Sequence, residues 1–399
     1  MTIEDPTREL LADPYPVYAR LRESAPVQRM TGPEGLPVWY VTRYDDIREA
    51  LADPRLSLDK RNGLPGGYRG FRLPPALDAN LLNMDPPDHT RIRRLVTRAF
   101  TPRRIEELRK PIRRIADELL DTMTSPGRTD LIASYAGPLP IVVICELLGV
   151  PVDSRHDFRT WTDDLFVPDP AHPERAGEAV RSMIEFFTWL LAHKRSHPGE
   201  DLVSALVAVR ERTGPEGIDD RLGSDELMSL VFLILFAGYE NTVQLMGTSV
   251  LALFNHPDQM AALRADLSGM PAAVEEFVRH ESPLALALRR FPLEDVTIAG
   301  VTIPAGETVI LCLSAANRDP ARFPDPDRLD LSRDTTGHLA LGHGIHYCLG
   351  APLARLETEV ALTALLERFP RLELDTEADE PKWRPSIRAR GLITLPVRY

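Results

Sequence analysis

The feature that most narrows what this chain can be is the stretch Leu341-Gly342-His343-Gly344-Ile345-His346-Tyr347-Cys348-Leu349-Gly350. It is a glycine-rich loop with a single cysteine. It runs straight into Ala351-Pro352-Leu353-Ala354-Arg355-Leu356-Glu357, and apolar residues continue at helical spacing down to Phe369. Glycines at 342, 344 and 350 let a backbone approach a flat ligand where a Cβ would collide. Cys348 sits where the helix begins, and the unpaired N–H groups and positive dipole end there favour a thiolate over a thiol. A thiolate held in that way is a soft ligand for iron. Cys145, after Ile141-Val142-Val143-Ile144, and Cys312, between Leu311 and Leu313, read instead as small buried hydrophobes.

The remaining composition sets bounds rather than chemistry. The chain has 399 residues, 43% of them hydrophobic, which is ample for a large core. Three cysteines without regular spacing argue against a disulfide scaffold and against a zinc module. Met1-Thr2-Ile3-Glu4-Asp5-Pro6 is polar and does not read as a signal peptide, which points to the cytoplasm. A net charge of −12 disfavours nucleic acid or an anionic membrane as the main partner. Against that charge, cations concentrate between Arg91 and Arg114, including Arg98, Arg103, Arg104, Arg109, Lys110 and Arg113. The cluster reads either as a docking face for an acidic partner or as a solvated helix face.

Local patterns organise the rest. A short amphipathic helix is expected around 17–22, strands over 26–30 and 38–42, and a helix over 44–51. Residues 53–83 are rich in Gly, Pro and Leu, a candidate lid over a pocket. Asp85-Pro86-Pro87-Asp88 opens a helix, and 112–149 is helical with short breaks. Helices follow over 158–166, 178–193 and 201–209, with a mobile-looking connection at 168–173. The longest element, about 224–254, would span on the order of 45 Å. It is apolar on nearly every side from 227 to 236, yet Glu240, Asn241 and Gln244 interrupt it, so it reads as a buried core helix rather than a membrane span. A helix over 271–281, short strands near Thr297 and Val309, an irregular stretch at 317–334 and strand over 387–397 complete the chain. The whole reads as one mainly α domain, residues 1–399, with small sheets at one edge.

The pattern Gly-x-Gly-x-His-x-Cys-x-Gly ahead of an amphipathic helix resembles the heme-thiolate loop of the cytochromes P450. Four further patterns match that family in order along the chain. Glu276-Phe277-Val278-Arg279 places Glu276 and Arg279 on one helix face; the resemblance implies a buried pair that locks the cysteine loop together with Arg328 of Pro326-Asp327-Arg328-Leu329. His89 and Arg93, four apart on a helix, resemble ligands of the heme propionates, with Arg290 and His346 as the third and fourth. Phe236-Ala237-Gly238-Tyr239-Glu240-Asn241-Thr242 breaks the apolar helix with a small pair beside an acid; the resemblance makes it the dioxygen groove, with Glu240, Asn241 and Thr242 as the catalytic set. Here the chain departs from its family, which usually has threonine after the acid. Thr242 lies about 100° further round the helix and does not substitute directly. A hydroxyl relays protons through one atom, whereas the Asn241 amide splits donor and acceptor between two, so protons are expected to arrive through ordered water or a substrate hydroxyl. The loop itself departs at Leu341, where Phe is usual, as does Leu329.

The resemblance implies the P450 fold, a triangular-prism helical domain with the heme between the long central helix and the cysteine-loop helix. The cofactor would be heme b, iron protoporphyrin IX, on the Cys348 thiolate, with Ala237 and Gly350 close to the ring. The activity would be monooxygenation: dioxygen activation to hydroxylate or epoxidise a largely apolar small molecule, a secondary metabolite such as a polyketide or peptide. The pocket would be lined by Leu233, Phe236, Ala237, Leu286, Leu288, Leu392 and Ile393. The chain has no flavin or iron–sulfur motif of its own, so a ferredoxin and its reductase would supply electrons near Arg98, Arg103 and Arg104. Two rivals stay open: a same-scaffold oxidase that couples, nitrates or desaturates, and a non-catalytic heme-binding sensor or electron carrier.

Overall fold

The helix Ser224–Asn255 is unbroken over 32 residues in the computed structural model, which describes residues 7–32, 35–67, 74–123, 127–166, 172, 174–211 and 222–399. The expectations for residues 1–6 and for the 168–173 connection, His172 apart, lie outside the described residues, as does 68–73 of the candidate lid. The helix starts where the Glu226 carboxylate accepts the Gly223 N–H at 2.7 Å, and Asp225 and Glu226 oppose its dipole. Glu226 also pairs with Arg91, which ties in the helix Asp88–Thr97. Leu227 to Leu233 and Leu235 are buried, and so is every residue from Thr242 to Leu253. None of residues 236–241 is buried. A core helix thus carries one open window at its middle.

Around it pack the helices Arg109–Thr122, Pro138–Leu148, Met270–His280 and Ala351–Arg368, whose apolar faces form one continuous cluster. Arg155–Phe166 and Glu174–Ser196 join it through Phe158, Phe186 and Phe187, with ring centroids 5.7–5.9 Å apart. A second cluster gathers the helices Pro14–Ser24 and Tyr44–Ala52 against the sheet. In that sheet Val27–Thr31 pairs antiparallel with Pro37–Val41, which pairs parallel with Val309–Leu311.

Two expectations need correcting. The segment 112–149 is not helix with short breaks alone, because it contains the strand Arg128–Asp130. The reason is non-local: the partner is Pro396–Arg398 at the far end of the chain. The tail is also not one strand. Leu392–Thr394 pairs with Lys382–Trp383, whereas Pro396–Arg398 joins Arg128–Asp130 and Glu373–Leu374. The switch falls at Leu395, whose N–H turns to Asp130 Oδ1 at 2.8 Å.

The Glu276–Arg279 pair is fully buried, with Nε–Oε2 at 2.7 Å and Nη2–Oε1 at 2.8 Å. Such a pair persists only when its remaining polar atoms are satisfied. Arg279 Nη1 donates to the carbonyls of Asn317 (2.8 Å) and Pro326 (2.9 Å), and Glu276 Oε1 accepts from Asp330 N–H at 3.0 Å. Asn317 Oδ1 in turn accepts the Leu339 N–H at 2.7 Å, at the entrance to the cysteine loop. The third arginine is not Arg328, whose side chain is exposed. It is Arg333, which donates to Glu276 at 3.3 Å and to the carbonyls of Pro324, Asp325 and Arg328. Asp325 adopts a left-handed φ of +47°, which turns this segment so that its carbonyls, rather than the Arg328 side chain, face the guanidinium groups.

Arg333→Ala should therefore lower stability by about 1–3 kcal/mol, the cost of stranding buried acceptors. Arg328→Ala should stay within about 0.5 kcal/mol of the parent. Urea midpoints followed by circular dichroism separate the two, and equal losses would contradict the assignment.

Candidate active site

The cysteine loop folds back on itself. Cys348 N–H donates to Leu341 C=O at 2.9 Å and Tyr347 N–H to Gly344 C=O at 3.1 Å. Gly342 and Gly344 have φ of +77° and +71°, so glycine is required there by the turn itself. A Cβ on Gly344 would also fall 3.1 Å from Leu51 C=O, where the loop rests on the helix Tyr44–Ala52. Gly350 differs: its backbone is ordinary, and a Cβ there would sit 3.9 Å from Cys348 Sγ. For Gly342 and Gly344 the loop's own turns thus give a reason for glycine in addition to the expected one.

Cys348 Sγ accepts hydrogen bonds from the N–H groups of Gly350 and Ala351 at the start of Ala351–Arg368. Burial pushes its thiol up, and those N–H groups with Arg93 and Arg355 oppose the rise without cancelling it. The other two cysteines lack such donors; burial pushes Cys145 up to about 12 and Cys312 further still. Sequence reasoning missed what anchors the cysteine helix: Arg355 grips Glu275 with two nitrogens and reaches Tyr347 OH at 3.1 Å, and His338 Nε2 meets Glu275 at 3.0 Å. Burial raises the Glu275 carboxyl, but these partners outweigh it and hold it near 2.

Beside the loop lie the four residues expected to meet carboxylates. The His89 and His346 rings stand 4.1 Å apart, and Arg93 donates to Tyr347 C=O at 2.6 Å. Arg290 is buried, bonded through Nη1 to Leu56 C=O at 3.2 Å. Burial and the neighbouring cations push His89 down to about 4 and His346 to about 3, and burial lowers Arg290 to about 10. With both imidazoles neutral, Arg93 and Arg290 are the two cations of this group, and among the described residues both ring nitrogens of buried His89 and Nε of Arg290 have no hydrogen-bond partner. Orphaned buried donors call for an anion. A ring carrying carboxylates on its edge and a soft metal at its centre fits this donor set together with Cys348.

The second half of the expected site is the open window of the long helix. Ala237 is exposed there and Asn241 half-buried, with Asn241 Nδ2 on Ala237 C=O at 3.1 Å. Thr242 is buried and donates to Gly238 C=O at 2.8 Å, which takes it out of the groove. Gly238 does not open the window either, since its Cβ would meet Ile144 of Pro138–Leu148 at 3.2 Å. Glu240 does not stand free: Arg384, beyond the strand Lys382–Trp383, pairs with it at 2.6 Å. Of the expected lining, Leu288 (36%) and Ile393 (48%) are exposed, and Phe236 is partly so and stacks on Phe232 at 5.8 Å. Leu233 is buried, with 8% of its surface left open. Leu286 and Leu392 belong to the two apolar clusters instead, because the strand-like tail alternates and turns Leu392 onto the long helix.

Comparison with known proteins agrees with this geometry. The Cytochrome P450 family profile matches residues 165–399. The chain is 49% identical over 394 residues to the cytochrome P450 monooxygenase PikC of Streptomyces venezuelae, covering 98% of this chain and 92% of that protein. It is 45% identical to the 6-deoxyerythronolide B hydroxylase of Saccharopolyspora erythraea, over 97% and 96% of the two chains. The ligand-free P450 monooxygenase TamI superposes with a TM-score of 0.88 at 45% identity, over 99% of this chain and 93% of that one. Bacillus subtilis PksS gives 0.90 at 37%, over 99% of each. The fold, the heme with its cysteine thiolate, the dependence on redox partners and the oxidation of small molecules follow together, and the reading as a non-catalytic sensor or carrier falls away. A cysteine loop braced by a buried Glu–Arg pair, a window in a long core helix and these relatives together place this chain in the cytochrome P450 family of heme-thiolate monooxygenases.

Proposed function

We propose that Cys348 is the axial thiolate, that His89, Arg93, Arg290 and His346 hold the heme propionates, and that the substrate is a largely apolar natural product of polyketide or macrolide type. The observation that carries the assignment is the set of orphaned buried donors on His89 and Arg290 beside a cysteine whose sulfur already accepts two N–H groups. Phe236, Ala237, Leu288 and Ile393 keep apolar surface uncovered and are the residues we assign to the groove wall, with Leu233 buried one turn before Ala237. The substrate class is supported by relatives whose names state it: the 6-deoxyerythronolide B hydroxylase, the mycinamicin IV hydroxylase/epoxidase and TamI with tirandamycin C bound. The cysteine loop sits where the two apolar clusters meet, which supports residues 1–399 acting as one domain. The helix Ser224–Asn255 is the one among the described residues long and apolar enough to cross a membrane; it is mostly buried by its neighbours, and we place the protein in the cytoplasm.

When bound, the heme supplies the reductive activation of dioxygen. The chain supplies the surroundings. Arg93 and Arg290 would neutralise the propionates, and His89 and His346 would each donate a ring N–H to them. Asn241, with Nδ2 committed to Ala237 C=O, turns its remaining amide capacity to the groove and holds a water there. That water passes the proton that a threonine hydroxyl passes in most of the family. Asn241→Leu holds no water and should cut product formed per reduced nicotinamide by roughly tenfold or more. Asn241→Thr should restore or exceed the parent's ratio, and indifference of both rate and ratio to these changes would contradict the water-held route.

A ferredoxin, served by its reductase, is the partner we propose for electron supply. The docking face is smaller than the arginine count suggested. Arg103 pairs with Glu107, Arg109 with Glu106 and Glu359, and Arg113 with Asp117 and Glu367, while Arg104 donates to Ala99 C=O. Arg98 is exposed and makes no ion pair among the described residues, and Ile345 and Tyr347 expose apolar surface beside Cys348. Arg98→Glu should slow reduction by the ferredoxin about tenfold at low ionic strength and less at high salt. Stopped-flow reduction rates indifferent to both charge and salt would rule this face out.

A further inference from the structure

The C-terminal hairpin, Lys382–Trp383 paired with Leu392–Thr394, is fastened to the long helix at two points one turn apart. Arg384 Nη1 pairs with Glu240 Oε1 at 2.6 Å, and Leu392 N–H donates to Gln244 Oε1 at 2.6 Å. Arg384 is itself fixed in the hairpin, its N–H on Gly391 C=O at 2.9 Å. A Cβ at Gly391 would fall 2.0 Å from Gln244 Oε1, so a larger residue there would have to push the Gln244 side chain off this bond. Glu240 and Gln244 share one face of the helix, whereas Asn241 lies about 100° round from Glu240. The acid therefore faces the hairpin and not the groove.

We propose that Arg384 is a positioning residue for Glu240: it pins the carboxylate to the hairpin, so that only when the pair opens does Glu240 take up a proton from solvent at its exposed edge and hand it to the water on the Asn241 side. This rests on the reading of the 236–241 window as the dioxygen face. Both members are about a quarter exposed, so the pair is open to solvent on one side and held shut by charge rather than by burial. The other charges near this stretch are already engaged. Asp78 of the short helix Pro75–Asp78 pairs with Lys60, Glu146 of Pro138–Leu148 with Arg114 and Arg155, and Arg390 of the hairpin with Glu281. Arg384 is the charged partner that acts on Glu240.

Burial raises the Glu240 carboxyl and Arg384 opposes it, so removing the arginine leaves burial alone and the protonated acid persists to higher pH. The test titrates Glu240 itself, as the pH-dependent infrared carbonyl band of the resting heme-loaded enzyme that disappears in Glu240→Gln. In Arg384→Gln the midpoint should move up by about one pH unit, and the pH profile of product per reduced nicotinamide should move with it. Arg384→Lys should stay close to the parent. The Gln244–Leu392 bond keeps the hairpin in place in these variants, and unchanged circular dichroism confirms it. A midpoint unmoved in Arg384→Gln overturns the proposal. So does a lysine variant displaced as far as the glutamine one, which would make the effect a disturbance of the hairpin rather than a loss of charge. The infrared midpoint needs no turnover, so its failure is distinguishable from failure of the monooxygenase reading.

Discussion

A buried thiol resists ionising, and the architecture around Cys348 works against that resistance. Two backbone N–H groups at a helix start point at the sulfur, and Arg93 and Arg355 stand close enough to act on it. Neither device works unless loop and helix keep their places. The loop is fixed from outside by Asn317, which receives Leu339 N–H, and Asn317 is fixed by Arg279. The helix is fixed by Arg355 on Glu275, a neighbour of Glu276 in sequence. One turn of Met270–His280 thus braces both the loop and the helix behind the sulfur. The desolvated charges of Glu276 and Arg279 are an expensive way to hold a fold together. They are retained where the position of a ligand atom depends on them.

The window in the long helix is lightly covered rather than bare. Apolar residues bury the helix on both sides of 236–241, while among the described residues Ile144 lies against Gly238, Arg384 holds Glu240, and Ala237 alone of the stretch is exposed. Its small residue, Ala237, faces outward, and its acid is drawn sideways to Arg384. With Thr242 turned into the core, Asn241 is left as the polar side chain that presents itself to the open side. The departure from the family's threonine therefore falls where a proton must be handled, in a groove whose neighbouring acid is restrained.

What could be read from the sequence was what local spacing encodes. The cysteine loop, the Glu276–Arg279 pair, His89 with Arg93 and the bounds of the long helix all appear within a few turns of chain. What could not be read depends on partners far apart. Arg384 meets Glu240 across 144 residues, and Arg355 meets Glu275 across 80. The strand Arg128–Asp130 exists because the chain's end lies beside it. Arg333 was missed for another reason: the segment around Arg328 does take part, but through its carbonyls, and only the backbone turn at Asp325 shows which arginine points inward. Leu286 and Leu392 were misplaced because alternation along an extended segment assigns neighbours to opposite faces without saying which face is the pocket.

The claim on which the account stands is a bond between Cys348 and heme iron. It is tested most directly by the absorption spectrum of the reduced protein under carbon monoxide, taken for the parent and for Cys348→Ser. The account requires the long-wavelength Soret band that a thiolate ligand gives, present in the parent and lost in the serine variant while circular dichroism shows the fold retained. A parent adduct that absorbs like a histidine-ligated globin, or a thiolate band that survives the loss of Cys348, would contradict it.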